Sequence, residues 1–172
     1  MASLMDDLLE VLEKENTEYK KLVALSMKKT PVIVSADLDE LMRITDEEQV
    51  IVGKINHYDK IRNDCMKQIA DVIHMDVSEL TLSTLVQIFE KRPAEHEKLA
   101  SIYDRLKDTI SQMTRVNNQN RELIQNSLEL VQYDMNVLQS MKTAPETANY
   151  TKGAYNTGDI MGPDKGGFDA KQ

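Results

Sequence analysis

Three histidines, one cysteine and a scatter of carboxylates are the groups in this 172-residue chain that could do chemistry. Asp71-Val72-Ile73-His74 sets a carboxylate and an imidazole at i, i+3, half of the ligand pattern of a di-iron bundle. Such a site takes two of these motifs and further inward glutamates, and the second motif is missing. His57-Tyr58-Asp59-Lys60 has the His-x-x-Lys spacing of phosphotransfer bundles, whose exposed helical histidine accepts a phosphoryl group, but Ile61 stands where a small residue usually follows the lysine. Cys65 falls on an apolar stripe and reads as a small core residue rather than a nucleophile. No glycine-rich phosphate loop follows a strand, and the glycines near the end lack the required spacing. These residues predict a protein with no catalytic site, no metal and no cofactor.

Charge and composition narrow the partners. The formal net charge is −8 and the sequence pI about 4.9. Lys20-Lys21, Lys28-Lys29 and Lys91-Arg92 are isolated pairs among acids, so no basic patch offsets repulsion from nucleic acid or an anionic membrane. The lone Cys65 rules out an intramolecular disulfide and suits a reducing compartment. No apolar run approaches the roughly 18 residues of a membrane span, and the first residues are acidic, unlike a secretion signal. The expectation is a cytoplasmic protein without membrane insertion. Hydrophobic residues make up 41% of the chain, aromatics 5%, and Trp is absent, which suits helices packed through Leu, Ile, Val and Met. The ten methionines fill gaps in such a core or form an adaptable binding surface.

The elements that must position these residues follow from the prolines and glycines. Five of the six glycines lie between Gly153 and Gly167, and the prolines stand at 31, 93, 145 and 163. The pattern predicts an all-α fold: an elongated antiparallel bundle of three long helices over 1–143 with a short helical connector, then a flexible Gly-rich tail over 144–172. The first helix is expected from about Ser3, capped by Ser3 with Asp6 at N3, to Lys28 or Lys29 before Pro31. The second is expected from Asp37 to about His74, with close helix approach at its internal Gly53. Thr81 is expected to cap one or two turns, Ser83 to about Glu90, laying Leu85, Ile88 and Phe89 over the bundle's end. Pro93 suits the first position of the third long helix, because its missing N–H is unneeded there.

That third helix, between Pro93 and Pro145, has no internal glycine or proline. Leu99, Ile102, Leu106, Ile110, Met113, Val116, Leu123, Ile124, Leu130, Val131, Leu138 and Met141 keep helical spacing along it. Helices of about 25, 38 and 50 residues would span roughly 38, 57 and 75 Å at 1.5 Å per residue. In an up-down-up arrangement the last dozen or so residues of the third then outrun their neighbours, beginning near Val131. Val131, Met135, Leu138 and Met141 would stand wet, a substantial incentive to self-associate or to capture another protein's amphipathic helix. Asn117 and Asn120 fall on the same stripe, where a buried amide fixes register or partner number.

Taken in order, these elements resemble the FlgN family of flagellar export chaperones over most of residues 4–143. The matching features are Leu8-x-x-x-Leu12-x-x-Glu15-x-x-x-Tyr19-x-x-Leu22, the Leu38-x-x-Leu41 opening of the second helix with its acids, and Ile61-Arg62. Thr81-Leu82-x-x-Leu85, Asn117-x-x-Asn120-x-x-Leu123 and an end containing Tyr150 and Gly153 are similar too; Thr151 to Gln172 departs from any recognisable motif. The resemblance implies a cytoplasmic, non-enzymatic chaperone that binds the C-terminal helical region of hook-filament junction proteins (FlgK and FlgL types). It would keep them from assembling early and deliver them to the flagellar export gate. Carried onto this chain, partner binding falls on Leu123, Ile124, Leu128, Val131, Met135, Leu138 and Met141, and docking at the gate on Tyr133, Tyr150 or Tyr155. The alternative is a self-assembling helical-bundle protein with a structural or adaptor role; a homodimer of the free chaperone would reconcile the two.

Overall fold

The computed structural model describes residues 2–143, with side chains over 4–142; the segment 144–172, expected as a flexible tail, lies outside the described residues. The chain is all-α, with no strand among the described residues. Helix α1 runs Ala2–Ser35, α2 Leu38–Ile73, α3 Leu82–Ile88 and α4 Pro93–Thr143, with a 3-10 turn, Phe89–Lys91, leading into α4. It divides between Ser127 and Leu128 into two units.

In the first unit, cross-helix polar pairs define the helix directions. Glu15 and Lys29 of α1 meet Arg62 and Glu48 of α2, so the numbers rise on one helix as they fall on the other. Asn16 and Thr30 of α1 meet Thr109 and Asn120 of α4, and here both rise. The order is up, down, up, as short connections demand. The core joins Leu8 and Leu12 of α1, Met66 and Ile69 of α2, and Leu99, Ile102 and Leu106 of α4. Leu85 of α3 and Phe89 are buried against it, closing one end of the unit. The expected lid is therefore formed, except that Ile88 faces solvent. Thr81 caps α3 by accepting from Thr84 N at 3.0 Å, and the helix begins at Leu82, one residue before the expected Ser83. Pro93 opens α4 as its spacing predicts.

Helix α1 departs from expectation at both ends. It is already formed at Ala2, so Ser3 sits inside the helix rather than capping it. Pro31 does not end it: the helix continues to Ser35. An internal proline costs about 3 kcal/mol. Against that, the next turn buries Ile33, worth about 1.5–3 kcal/mol, and Thr30, just before the proline, is held by Asn120 at 2.7 Å. The proline itself lies on the exposed face. The helix stops at Ala36, in the left-handed region with φ 55°. Asp37 N donates to Val32 O and Ala36 N to Ile33 O, the paired bonds of a Schellman end without its usual glycine. Asp37 at once caps α2, accepting from Glu40 N at 3.1 Å.

The expected close approach at Gly53 is absent. A Cβ built there meets nothing within 4 Å. Gly53 faces solvent and simply weakens α2. Gly53→Ala should therefore raise stability by about 0.5–1 kcal/mol, and Ala36→Gly by up to about 1 kcal/mol through relief of the left-handed strain. Both would appear as a higher urea midpoint at unchanged slope; destabilisation by either contradicts the packing described.

Candidate functional site

Helix α1 carries polar side chains into the interior of the first unit, and α2 and α4 meet them. Glu15 has no exposure to solvent. Arg62 Nη1 of α2 donates to both its oxygens, at 3.0 and 2.9 Å, while Nη2 pairs with Asp59. Two separate segments of the sequence pattern, Glu15 on α1 and Ile61-Arg62 on α2, thus become one ion pair. Burial pushes the Glu15 carboxyl above its ordinary value, Arg62 pulls it down and Asp59 raises it again. Burial also raises Tyr19, one turn along, with the Glu15 charge adding to it. Glu18, likewise buried, accepts from Lys21 at 2.7 Å through Oε1, leaving Oε2 without a partner.

Further along, Thr109 Oγ1 of α4 donates to Asn16 Oδ1 at 2.9 Å. Asn120 is buried and bonds α1 twice: its Nδ2 donates to Ser26 O at 2.8 Å, and its Oδ1 accepts from Thr30 Oγ1 at 2.7 Å. Asn117 is exposed, yet its Oδ1 lies 3.0 Å from Ser26 Oγ, which is also 3.1 Å from Glu48 Oε1. Lys29 completes the cluster on Glu48 Oε2 at 2.7 Å. A slip of one residue between α1 and α4 would strand Asn120 in an apolar setting, at about 1–3 kcal/mol for the unsatisfied groups.

The histidines and the cysteine considered for chemistry stand along α2. His74 is the left-handed end of α2, φ 56°, with Met75 N donating to Ala70 O, so it closes the helix. His57 is exposed with its ring against Tyr58. Cys65 is buried, and burial raises its thiol, which disfavours the thiolate a nucleophile needs. Among the described residues, no three His, Cys, Asp or Glu side chains gather as metal ligands would, and no helix is long and apolar enough to cross a membrane. An open groove of about 690 Å³ in the first unit, floored by Met66, Leu80 and Leu106, gives no sign in the sequence because its walls come from α2, α4 and the connector together.

The second unit is different in kind. Leu128, Leu130, Val131, Tyr133, Met135, Val137, Leu138 and Met141 are all exposed, from 37% at Val137 to 70% at Met141. Five of the seven residues expected to bind a partner lie here. Leu123 and Ile124 belong to the first unit, where Leu123 is half-buried and Ile124 sits at the margin of exposure. Tyr133 is exposed; Tyr150 and Tyr155 lie outside the described residues.

In comparison with known proteins, the family described as FlgN protein matches residues 1–157. Nothing among the curated proteins or the solved structures matches the chain.

The buried ion pair makes a pH-dependent prediction. With its pKa raised in the fold, Glu15 holds protons that the unfolded chain has released, so its contribution is full below the ordinary carboxylate value near 4.3 and is lost as pH rises through the folded value. Glu15→Gln should therefore gain stability relative to the natural chain as pH climbs from about 4 to 7. Arg62→Ala leaves the carboxylate unpaired and should cost about 3 kcal/mol at pH 7, less at pH 4, with Glu15→Gln restoring most of the loss. Urea titrations of the three variants at both pH values check the signs; a pH-independent loss would contradict the burial of Glu15.

Proposed function

Because the chain belongs to the FlgN family of flagellar export chaperones, we propose that it holds the C-terminal helical region of hook-filament junction proteins of the FlgK and FlgL types in the cytoplasm. It keeps them from assembling early and delivers them to the export gate. The observation that carries this reading is the run of eight exposed large apolar side chains at 128–141. Each one left in water forgoes about 1.5–3 kcal/mol, and amphipathic helical surface of a client packed against them relieves that penalty. Leu128, Val131, Met135, Leu138 and Met141 are the proposed contacts, with Leu123 and Ile124 extending them on the same helix. The client's own polymerising helix is thereby covered. At the gate, Tyr133 is the exposed candidate among the described residues.

The competing occupant is a second copy of the chain, which would leave the free protein a homodimer. Mixing the protein with the C-terminal segment of a junction protein should give a stoichiometric complex by size-exclusion light scattering; no complex at micromolar concentration sinks the chaperone reading. Met135→Asp and Leu138→Asp should weaken that complex by an order of magnitude or more with helicity unchanged, since both side chains are exposed. Ile55→Asp, by contrast, places an unpaired charge at a buried position of α2 and should unfold the first unit. Equal loss of helicity from all three, measured by circular dichroism, would contradict the split between scaffold and binding segments.

A further inference from the structure

The apolar surface of residues 128–142 is too wide for one partner helix. At about 100° per residue, Leu128, Val131, Met135 and Leu138 share a sector roughly 80° wide, and Leu130, Tyr133, Val137 and Met141 share another of the same width, with centres about 140° apart. All eight are exposed. Gln132, Asn136, Gln139, Ser140 and Glu129 fill the remaining arc. A helix that packs on a single neighbour needs an apolar stripe of about 100°; the two sectors here together span about 220°, counted the same way.

Between the two apolar sectors stands Asp134. No cation pairs with it among the described residues. A carboxylate at the seam between two docked helices would be drawn from water, and it is tolerated there when a cation from the partner meets it. Within this unit the described cation is Lys142, on the first sector rather than at the seam.

We infer that residues 128–142 lie between two amphipathic helices of one client, and that a lysine or arginine of the client meets Asp134 where those helices come together. This inference rests on the chaperone reading and deepens it: the client offers a helical pair rather than one tail. The first sector contains four of the five contacts proposed above; the second, through Leu130, Val137 and Met141, takes the additional helix. Tyr133 stands at the outer margin of that second sector, next to the polar arc, and stays reachable.

The test uses the full chain and a full-length junction protein of the FlgK type, with affinity read by titration calorimetry and the mass of the free protein by light scattering. Val131→Asp interrupts the first sector and Val137→Asp the second; both positions are exposed, and circular dichroism checks that helicity is kept. Each substitution should weaken binding by about ten-fold or more, by the cost of bringing a lone carboxylate against an apolar partner. Asp134→Asn should weaken it a few-fold and flatten its dependence on salt. If Val137→Asp binds the client as the natural chain does, one helix suffices and the inference is overturned. If Val137→Asp turns an oligomer of the free protein into a monomer without weakening client binding, the second sector belongs to another copy of the chain, which overturns it equally. If Asp134→Asn leaves both affinity and salt dependence unchanged, the client cation is overturned. Failure of the natural chain to bind any junction protein overturns the chaperone reading itself and is seen before any variant is made.

Discussion

A carboxylate wholly removed from water, midway along α1, sets the terms for the first unit. Glu15 is tolerable there because Arg62 reaches it from α2 and is itself steadied by Asp59. A buried ion pair of this kind adds little net stability compared with an apolar pair of the same size, but breaking it costs several kcal/mol. Its effect is therefore to disfavour every packing of α1 on α2 except the one that brings these side chains together. Asn16 with Thr109, and Ser26 and Thr30 with Asn120, apply the same constraint between α1 and α4. The apolar contacts of Leu, Ile and Met drive association of the three helices without specifying their register, because such side chains slide and repack at modest cost. The polar pairs supply the register.

The contrast between the two units follows from where those pairs stop. Through Asn120, α4 has a neighbour that satisfies both its apolar and its amide side chains. Residues 128–142 carry eight large apolar side chains, all of them exposed. The proposed chaperone role gives this division a physical use: a rigid scaffold would present a helix whose face stays unsatisfied until a client arrives. Methionine at 135 and 141 suits that face, since a flexible thioether adapts to different partner side chains.

Much of this was legible in the chain. The start of α2 at Asp37, which the structure uses as its cap, the Thr81 cap, the Pro93 start and the apolar spacing of α4 are local signals, and the helices obey them. The exceptions share a cause. Pro31 reads as a stop and Gly53 as a close contact when each is weighed against its sequence neighbours alone. Ile33 and the Thr30–Asn120 bond carry the helix through the proline, and nothing at all approaches the glycine. Ala36 and His74 end their helices in the left-handed region with no glycine to announce it. Asn117 and Asn120 stand out as amides on an apolar stripe, yet nothing in the spacing told which of them would be buried.

The sequence by itself determined that the chain is helical, where most helices begin, and that α4 carries more apolar surface than a short chain can cover. These are consequences of periodicity and capping, which act over a few residues. Tertiary structure alone decided that Glu15 belongs to Arg62, that Asn120 rather than Asn117 is the buried amide, and that the apolar side chains of α4 are already exposed at Leu128, ahead of the expected Val131. Those outcomes depend on pairs 47 and 90 residues apart, and on which side of a helix a distant neighbour happens to occupy. Spacing along one helix fixes which side chains share a face; it takes the other helices to decide which face is left over.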